Sequence, residues 1–338
     1  MRMRLAASLL LVLFLTICLQ AQTNKLRGTW TANLSDTKPW MQMSFQDGNG
    51  QHSSSFSSDI AEAQLTGKQG PVQFTITRDA GTFVFEGVVK DQLASGFVDF
   101  TANPQYASDM ASLGYPNITE KQLFRMAMVD VKKQFVADLN SAGYTKLGVD
   151  QLIRMSIHEV NATYIQSLSA AGYKNLRPEE LIRLRIHDVT PAFVAEMTAN
   201  GIGDLSAEQA VRLKIHDVDP AFVKSVKQSG FTNVEPEQLV RLKIHDVSPD
   251  YIAKVQQLGF KDIDIEELVR MKIHDVSPEF IAKVKQLGYT NVTADEVVRL
   301  AIHDVTTDYI AQAKSAQQDI SLDEIVRMKI HGGRRAKL

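Results

Sequence analysis

The chain has 338 residues, 44% of them hydrophobic and 22% charged, with a formal net charge of −2. A buried core is therefore expected, and wholesale disorder is not. The near-neutral balance gives no electrostatic footprint for nucleic acid: the one basic run, Arg334, Arg335 and Lys337, falls at the end of the chain, where such runs are usually frayed and solvated.

The first residues read as an address. Arg2 and Arg4 form a positive start, and Leu5 to Leu19 is an almost unbroken apolar stretch. Its length suits a signal-peptide core and is short for a membrane span. Residues 1–21 are assigned as a signal peptide, with cleavage after Ala21. A lipoprotein anchor on Cys18 is disfavoured by Ile17, which stands where a small residue is normally wanted; an uncleaved anchor is the third arrangement. No later segment is apolar enough to span a bilayer, so no membrane span is expected after cleavage. Cys18 is the chain's only cysteine, so the mature chain would lack disulfides, thiolate nucleophiles and cysteine metal ligands.

Residues 22–102 carry the alternation of an antiparallel β domain. Gly28 to Ala32 and Trp40 to Phe45 suggest early strands, and Gly48 to Ser58 is Gly/Ser-rich and reads as a loop. Val72 to Thr77, Thr82 to Gly87 and Gly96 to Phe100 form a meander, with turns at Asp79-Ala80-Gly81 and Lys90-Asp91. The expectation is an open sheet or flattened barrel of five to seven strands. Phe100 and Asn103 leave almost no linker before the helical repeats, so the sheet should pack on the first helical unit.

Residues 103–332 repeat. His158, His187, His216, His245, His274 and His303 are 29 residues apart, His331 follows after 28, and Val129 holds the preceding slot. Four residues before each position stands an arginine: Arg125, Arg154, Arg183, Arg212, Arg241, Arg270, Arg299 and Arg327. An aromatic ladder from Tyr106 to Tyr309 keeps the same register. Three ladders agree on eight units.

One unit shows the mechanics. Ser277 is an N-cap candidate, Pro278 suits the first helical position and Glu279 complements the dipole. Phe280, Ile281, Val284 and Leu287 form an apolar stripe. Gly288 ends the helix, with Tyr289 able to fold back onto Val284. Thr293 and Glu296 make a capping box for a second helix, whose Val297, Val298, Leu300 and Ile302 supply apolar surface. Ser206 with Gln209 and Ser321 with Glu324 repeat that box. Helices of about ten residues are unstable alone, so neighbouring hairpins must bury them. The predicted fold class is α+β: a small antiparallel β domain followed by an α-solenoid of eight helical hairpins. The ends are atypical, with Ala316 in the glycine position and His331-Gly332-Gly333 leading into a basic tail, 333–338.

The His-Asp pairs, His187-Asp188, His216-Asp217, His245-Asp246, His274-Asp275 and His303-Asp304, are the obvious chemical candidates. Packed helices lie about 8–10 Å apart, whereas one zinc ion needs ligands within about 2.0–2.2 Å. The ladder of Arg154, His158 and Arg183 through His303 and Asp304 is therefore read as structural. Each His would satisfy a carbonyl at a helix end, and each Asp would pair with a ladder arginine. No catalytic, cofactor or metal residue is assigned and no cofactor is implied. Catalysis needs one distinct constellation, and here one chemistry recurs about seven times. A histidine-based metal or pH sensor is one alternative. The other is a hydrolase sited between sheet and first hairpin, drawing on non-repeated residues such as His52, Asp59 or Glu62.

The unit Val240-Arg241-Leu242-Lys243-Ile244-His245-Asp246-Val247-Ser248-Pro249-Asp250-Tyr251-Ile252 resembles repeats of exported bacterial proteins, also found in tails of beta-lactam-sensor-type membrane metallopeptidases. The segment Arg78 to Gly87 resembles the β segment that precedes them. The resemblance covers nearly all of the mature chain. It implies an envelope protein tied to signalling or regulation, and it implies no activity. The zinc-binding helix and membrane spans of those receptors have no counterpart here, so no protease role carries over. The expected function is a non-enzymatic periplasmic or secreted binding scaffold whose partner is a protein or cell-envelope component, with its oligomeric state open.

Overall fold

The computed structural model describes residues 26–34, 40–47, 50–56, 65 and 67–335. The expected signal peptide lies outside them. The chain divides into two compact units, one running to Ile153 and the other starting at Arg154.

The first unit holds a six-stranded sheet: β1 (Leu26–Asn33), β2 (Trp40–Asp47), β3 (Gly50–Phe56), β4 (Gly70–Arg78), β5 (Gly81–Lys90) and β6 (Leu93–Ala102). The order is β3-β2-β1-β6-β5-β4, antiparallel throughout, so the sheet is open with β3 and β4 at its edges. Period-two alternation buries Trp30, Met41, Met43, Phe45, Phe83, Phe85, Val98 and Phe100. Gly87 faces Gly96 across β5 and β6 because Trp30 lies over that spot. A Cβ on Gly87 would come within 2.7 Å of the Trp30 ring, whose Nε1 donates to the Glu86 carbonyl at 3.1 Å. Asp91 and Gln92 turn β5 into β6 with φ of 50° and 65°, the two left-handed residues of a type I′ hairpin.

One expectation fails here. The Gly/Ser-rich stretch read as a loop contributes β3, with Gly50 opposite Asp47 and Phe56 opposite Met41. Gln51-His52-Ser53-Ser54-Ser55 has no apolar alternation to announce a strand. Its pairing with β2 is a tertiary contact that local preference does not encode.

Eight helical hairpins come next, from α1 (Pro104–Ser112) with α2 (Glu120–Met128) and α3 (Lys133–Ser141) with α4 (Val149–Ile157). After these stand α5 (Ala162–Ala170) with α6 (Pro178–Ile186), α7 (Pro191–Ala199) with α8 (Ala207–Ile215), and α9 (Pro220–Gln228) with α10 (Pro236–Ile244). The last are α11 (Pro249–Gln257) with α12 (Ile265–Ile273), α13 (Pro278–Gln286) with α14 (Ala294–Ile302), and α15 (Thr307–Ala316) with α16 (Leu322–Arg335). The protein is thus α+β, a small β domain followed by helical repeats.

The first hairpin is fastened to the sheet inside the first unit. Phe124 of α2 meets the rings of Phe45, Phe100 and Phe83 at 4.7, 5.2 and 6.1 Å. The β4–β5 turn grips two helix ends. Arg78 donates to the carbonyls of Ala127 and Met128 at 2.7 and 2.5 Å, at the C-terminus of α2. The Asp79 carboxylate accepts from the Lys133 N–H, at the start of α3, at 2.9 Å. Asn103 donates to the Asp79 carbonyl at 2.9 Å. Burial lowers the Arg78 pKa, and Asp130 opposes that shift.

In the second unit the second helices stack in sequence, α6 on α8, then α10, α12, α14 and α16, and α7, α9, α11, α13 and α15 stack in the same way. Leu239, Val240 and Leu242 of α10 are wholly buried, and their counterparts recur along the layer. Helix starts obey the sequence rules. Ser277 accepts from the Phe280 N–H, and the boxes at Ser206, Thr293 and Ser321 all form.

Both helices of a hairpin end in a Schellman motif, with different residues. First helices use glycine: Gly172 has φ 105°, and Tyr173 N–H reaches back to Leu168 at 3.0 Å. The second helices from α6 to α14 use the His-Asp-Val triplet, while α2 stops on Val129-Asp130-Val131 and α4 on His158-Glu159-Val160. His245 caps α10, Asp246 takes the left-handed position at φ 53°, and Val247 N–H bonds the Leu242 carbonyl at 2.8 Å. Asp188, Asp217, Asp275 and Asp304 have φ between 50° and 54°. Val247 is buried, giving the apolar contact this motif requires. Ser248 then caps the next helix and Pro249 is its first residue. One helix stops and another starts within five residues.

The last hairpin departs where the sequence does. Counted from Tyr309, it is Gln317 and not Ala316 that stands in the glycine position, and Gln317 leaves α15 extended at φ −144°. Helix α16 runs on through Gly332 and Gly333 to Arg335, so part of the basic tail is helical. His331-Gly332-Gly333 has no apolar residue in the place of Val247 to anchor a stop.

Candidate functional site

The outer face of the second helices is built from three residue types seven positions apart in total. A first-turn acid, the ladder arginine four residues on and an isoleucine three further share one side of α4, α6, α8, α10, α12 and α14. Glu208, Arg212 and Ile215 of α8, and Glu237, Arg241 and Ile244 of α10, are two instances.

The arginines do not pair with the aspartates of the His-Asp doublets, as was expected. Arg125, Arg183, Arg212, Arg241, Arg270 and Arg299 each reach the first-turn acid of the following second helix. Arg183 meets Glu208 at 2.8 Å, Arg212 meets Glu237 at 2.9 Å and Arg299 meets Asp323 at 2.6 Å. Arg241–Glu266 and Arg270–Asp295 make the same contact. In the first unit Arg125 meets Asp150 at 2.5 Å. These arginines are 39–50% exposed in the second unit, and exposed pairs contribute roughly 0–1 kcal/mol each. They set the register between neighbours more than they hold the fold. Arg154 heads the row in the second unit and is exposed.

The aspartates are placed by the backbone. Asp188 and Asp246 lie at 3.6 and 3.5 Å from Lys214 and Lys272 of the next hairpin. Asp217, Asp275 and Asp304 are exposed and have no ion pair among the described residues. The same cation position stacks on the aromatic ladder: Arg185 over Tyr164 at 5.0 Å, Lys214 over Phe193 at 5.2 Å and Lys243 over Phe222 at 4.6 Å. Tyr164 and Tyr251 hydroxyls donate to the carbonyls of Val189 and Val276 at 3.0 and 2.8 Å, closing each hairpin onto its own stop. Burial pushes both phenols up to about 12.

His158, His187, His216, His245, His274 and His303 are half-buried. From His187 to His303 each is the C-cap of its helix through its backbone N–H. Among the described residues no hydrogen bond of their imidazoles is present, so the expected bond to a carbonyl is not made. Among the described residues no three His, Cys, Asp or Glu side chains gather as a metal site would need. His52 lies on β3 opposite Phe45, and Asp59 and Glu62 fall outside the described residues.

What sequence reasoning missed is the isoleucine row. Ile157, Ile186, Ile215, Ile244, Ile273 and Ile302 are 46–53% exposed. Ile302 was expected to supply core surface and instead faces outward. The signal was present: each isoleucine comes three residues after a ladder arginine, and Ile244 lies on the face opposite Leu239 and Leu242. Ile273 shares a shallow cleft with Arg241, Glu266 and Arg270, between α10 and α12. No helix among the described residues is long and apolar enough to cross a membrane. Compared with known proteins, the chain matches no family model and no curated protein.

Proposed function

We propose that this protein is a non-enzymatic, exported binding scaffold of the bacterial envelope, with a regulatory role, whose hairpins present a mixed apolar and ionic face to a protein or another envelope component. The observation that carries this reading is the row of six half-exposed isoleucines, one per repeat from Ile157 to Ile302. Full burial of an isoleucine is worth about 1.5–3 kcal/mol, so covering the exposed half of each supplies roughly 1 kcal/mol per repeat. The contribution accumulates along the row, which suits one long partner better than a small molecule. The export signal and the resemblance to envelope repeat proteins support the location.

A photo-reactive residue placed at Ile215 or Ile273 should give a saturable adduct in intact cells. One at Lys224, exposed on a first helix, should not. Equal labelling from all three positions, or none from the row, would refute the binding face.

A further inference from the structure

We propose that the seam between α12 and α13 holds a basic side chain, arginine or lysine, supplied by another polypeptide. Asp275, Phe280 and the carbonyl end of α12 receive it. The site uses no residue of the isoleucine row, so neither reading falls with the other.

The array itself supplies the template. Three hairpins place one cation of their second helix between the acid of the preceding seam and the aromatic five residues after that acid. Arg185 meets Glu159 at 3.0 Å and stacks on Tyr164 at 5.0 Å. Lys214 meets Asp188 at 3.6 Å and stacks on Phe193 at 5.2 Å. Lys272 meets Asp246 at 3.5 Å and stacks on Tyr251 at 5.2 Å. These three aromatics are 7–9% exposed. One repeat beyond the last of them, the same positions are Asp275, Phe280 and Ala301. Alanine reaches neither group. Among the described residues Asp275 makes no ion pair, no cation lies over Phe280, and Phe280 is only partly buried. Phe222 is also only partly buried; its Lys243 stacks at 4.6 Å without pairing with Asp217. Burial of the ring thus goes with the bridging cation.

Elsewhere the chain fills this position from outside the repeats. Ser156 stands there in α4, and Asp130 is the acid of the preceding seam. At that seam Arg78, from the β4–β5 turn, donates to the carbonyls of Ala127 and Met128 and lies within electrostatic reach of Asp130. Arg185 does the same at its own seam, donating to the His158 carbonyl at 3.3 Å. Helix α12 ends alike, and its last carbonyls carry the negative end of the helix dipole. An entering guanidinium or ammonium therefore meets a carboxylate, a ring face and helix-end carbonyls together. Every cation that fills this position in the chain is a side chain held by its backbone, which selects a polypeptide over a free amine.

The test titrates the full chain, carrying ring-labelled phenylalanine, with the blocked tripeptide acetyl-Gly-Arg-Gly-amide. The Phe280 signal, assigned with Phe280→Leu, should shift saturably with a dissociation constant on the order of 1 mM. The Phe193 signal should not move, because Lys214 already covers that ring. Asp275→Asn and Ala301→Lys should each weaken binding by about tenfold or more with helicity unchanged. Asparagine keeps the left-handed turn, and lysine already stands at this position in α8, α10 and α12. No saturable Phe280 shift up to roughly 50 mM overturns the proposal. So does an equal shift with the uncharged citrulline peptide, or a shift that survives Ala301→Lys. Methylguanidinium binding as tightly as the peptide overturns it too, since the source is then a free amine.

Discussion

At the scale of the residue, the left-handed aspartate decides how a repeat ends. Asp246 has φ 53°, a conformation that costs most L-residues about 1–2 kcal/mol and that Asp tolerates better than most. Asp246→Val should therefore lower the stability of its hairpin by about 1–2 kcal/mol, whereas Asp246→Gly should hold or raise it. Thermal unfolding of the pair is the check, and equal losses would show that the carboxylate, not the backbone, matters there. The buried tyrosines give a pH signature. Tyr164 and Tyr251 titrate near 12 in the folded chain against about 10 unfolded. Their contribution is complete below pH ~10 and is lost as pH rises through about 12, because unfolding then releases protons. Tyr164→Phe with Tyr251→Phe should flatten the alkaline fall in stability between those limits and cost about 0.5–1.5 kcal/mol per lost hydrogen bond at neutral pH. An unchanged alkaline profile would place the pH response elsewhere.

At the scale of the element, the helices were legible because each carries its own punctuation. Ser277-Pro278 starts a helix and Gly288 ends one without help from the rest of the molecule. Gly230, at φ 101° with no atom within 4 Å of an added Cβ, isolates the backbone term. Gly230→Val should destabilise its hairpin by a few kcal/mol at most, and unchanged unfolding would reject the stop. Strand β3 was not legible, since serines pair with β2 only once the sheet exists. Nor was the direction of Ile302: its apolar character says core, and only its angle around the helix, shared with Arg299, says surface. The partner of each arginine was misjudged for a related reason. The sequence reading paired the Asp of each doublet with an arginine of its own or a neighbouring repeat, while stacking brings up the first-turn acid of the next repeat.

At the scale of the molecule, fold and function differ in legibility. Eight hairpins are implied by periodicity, whereas the candidate site is a property of faces, which depend on how helices pack. Besides the Phe124 rings, the sheet's polar hold on the first two hairpins lies in Arg78 and Asp79. Arg78→Ala removes charged hydrogen bonds worth about 1.5–3 kcal/mol. Amide exchange should quicken in the last turn of α2 and leave α10 to α14 unchanged; a uniform effect would deny the clamp. The five-residue seam at His245-Asp246-Val247-Ser248-Pro249 has a consequence of a different kind, since one valine closes the helix behind it and leads the helix ahead. Because the seams at His187, His216, His245, His274 and His303 share the His-Asp-Val stop, recombination that inserts or removes one whole unit among them rebuilds an intact seam. The length of the array is thus an open variable for the gene, and the two dissimilar ends are the parts that inheritance must keep.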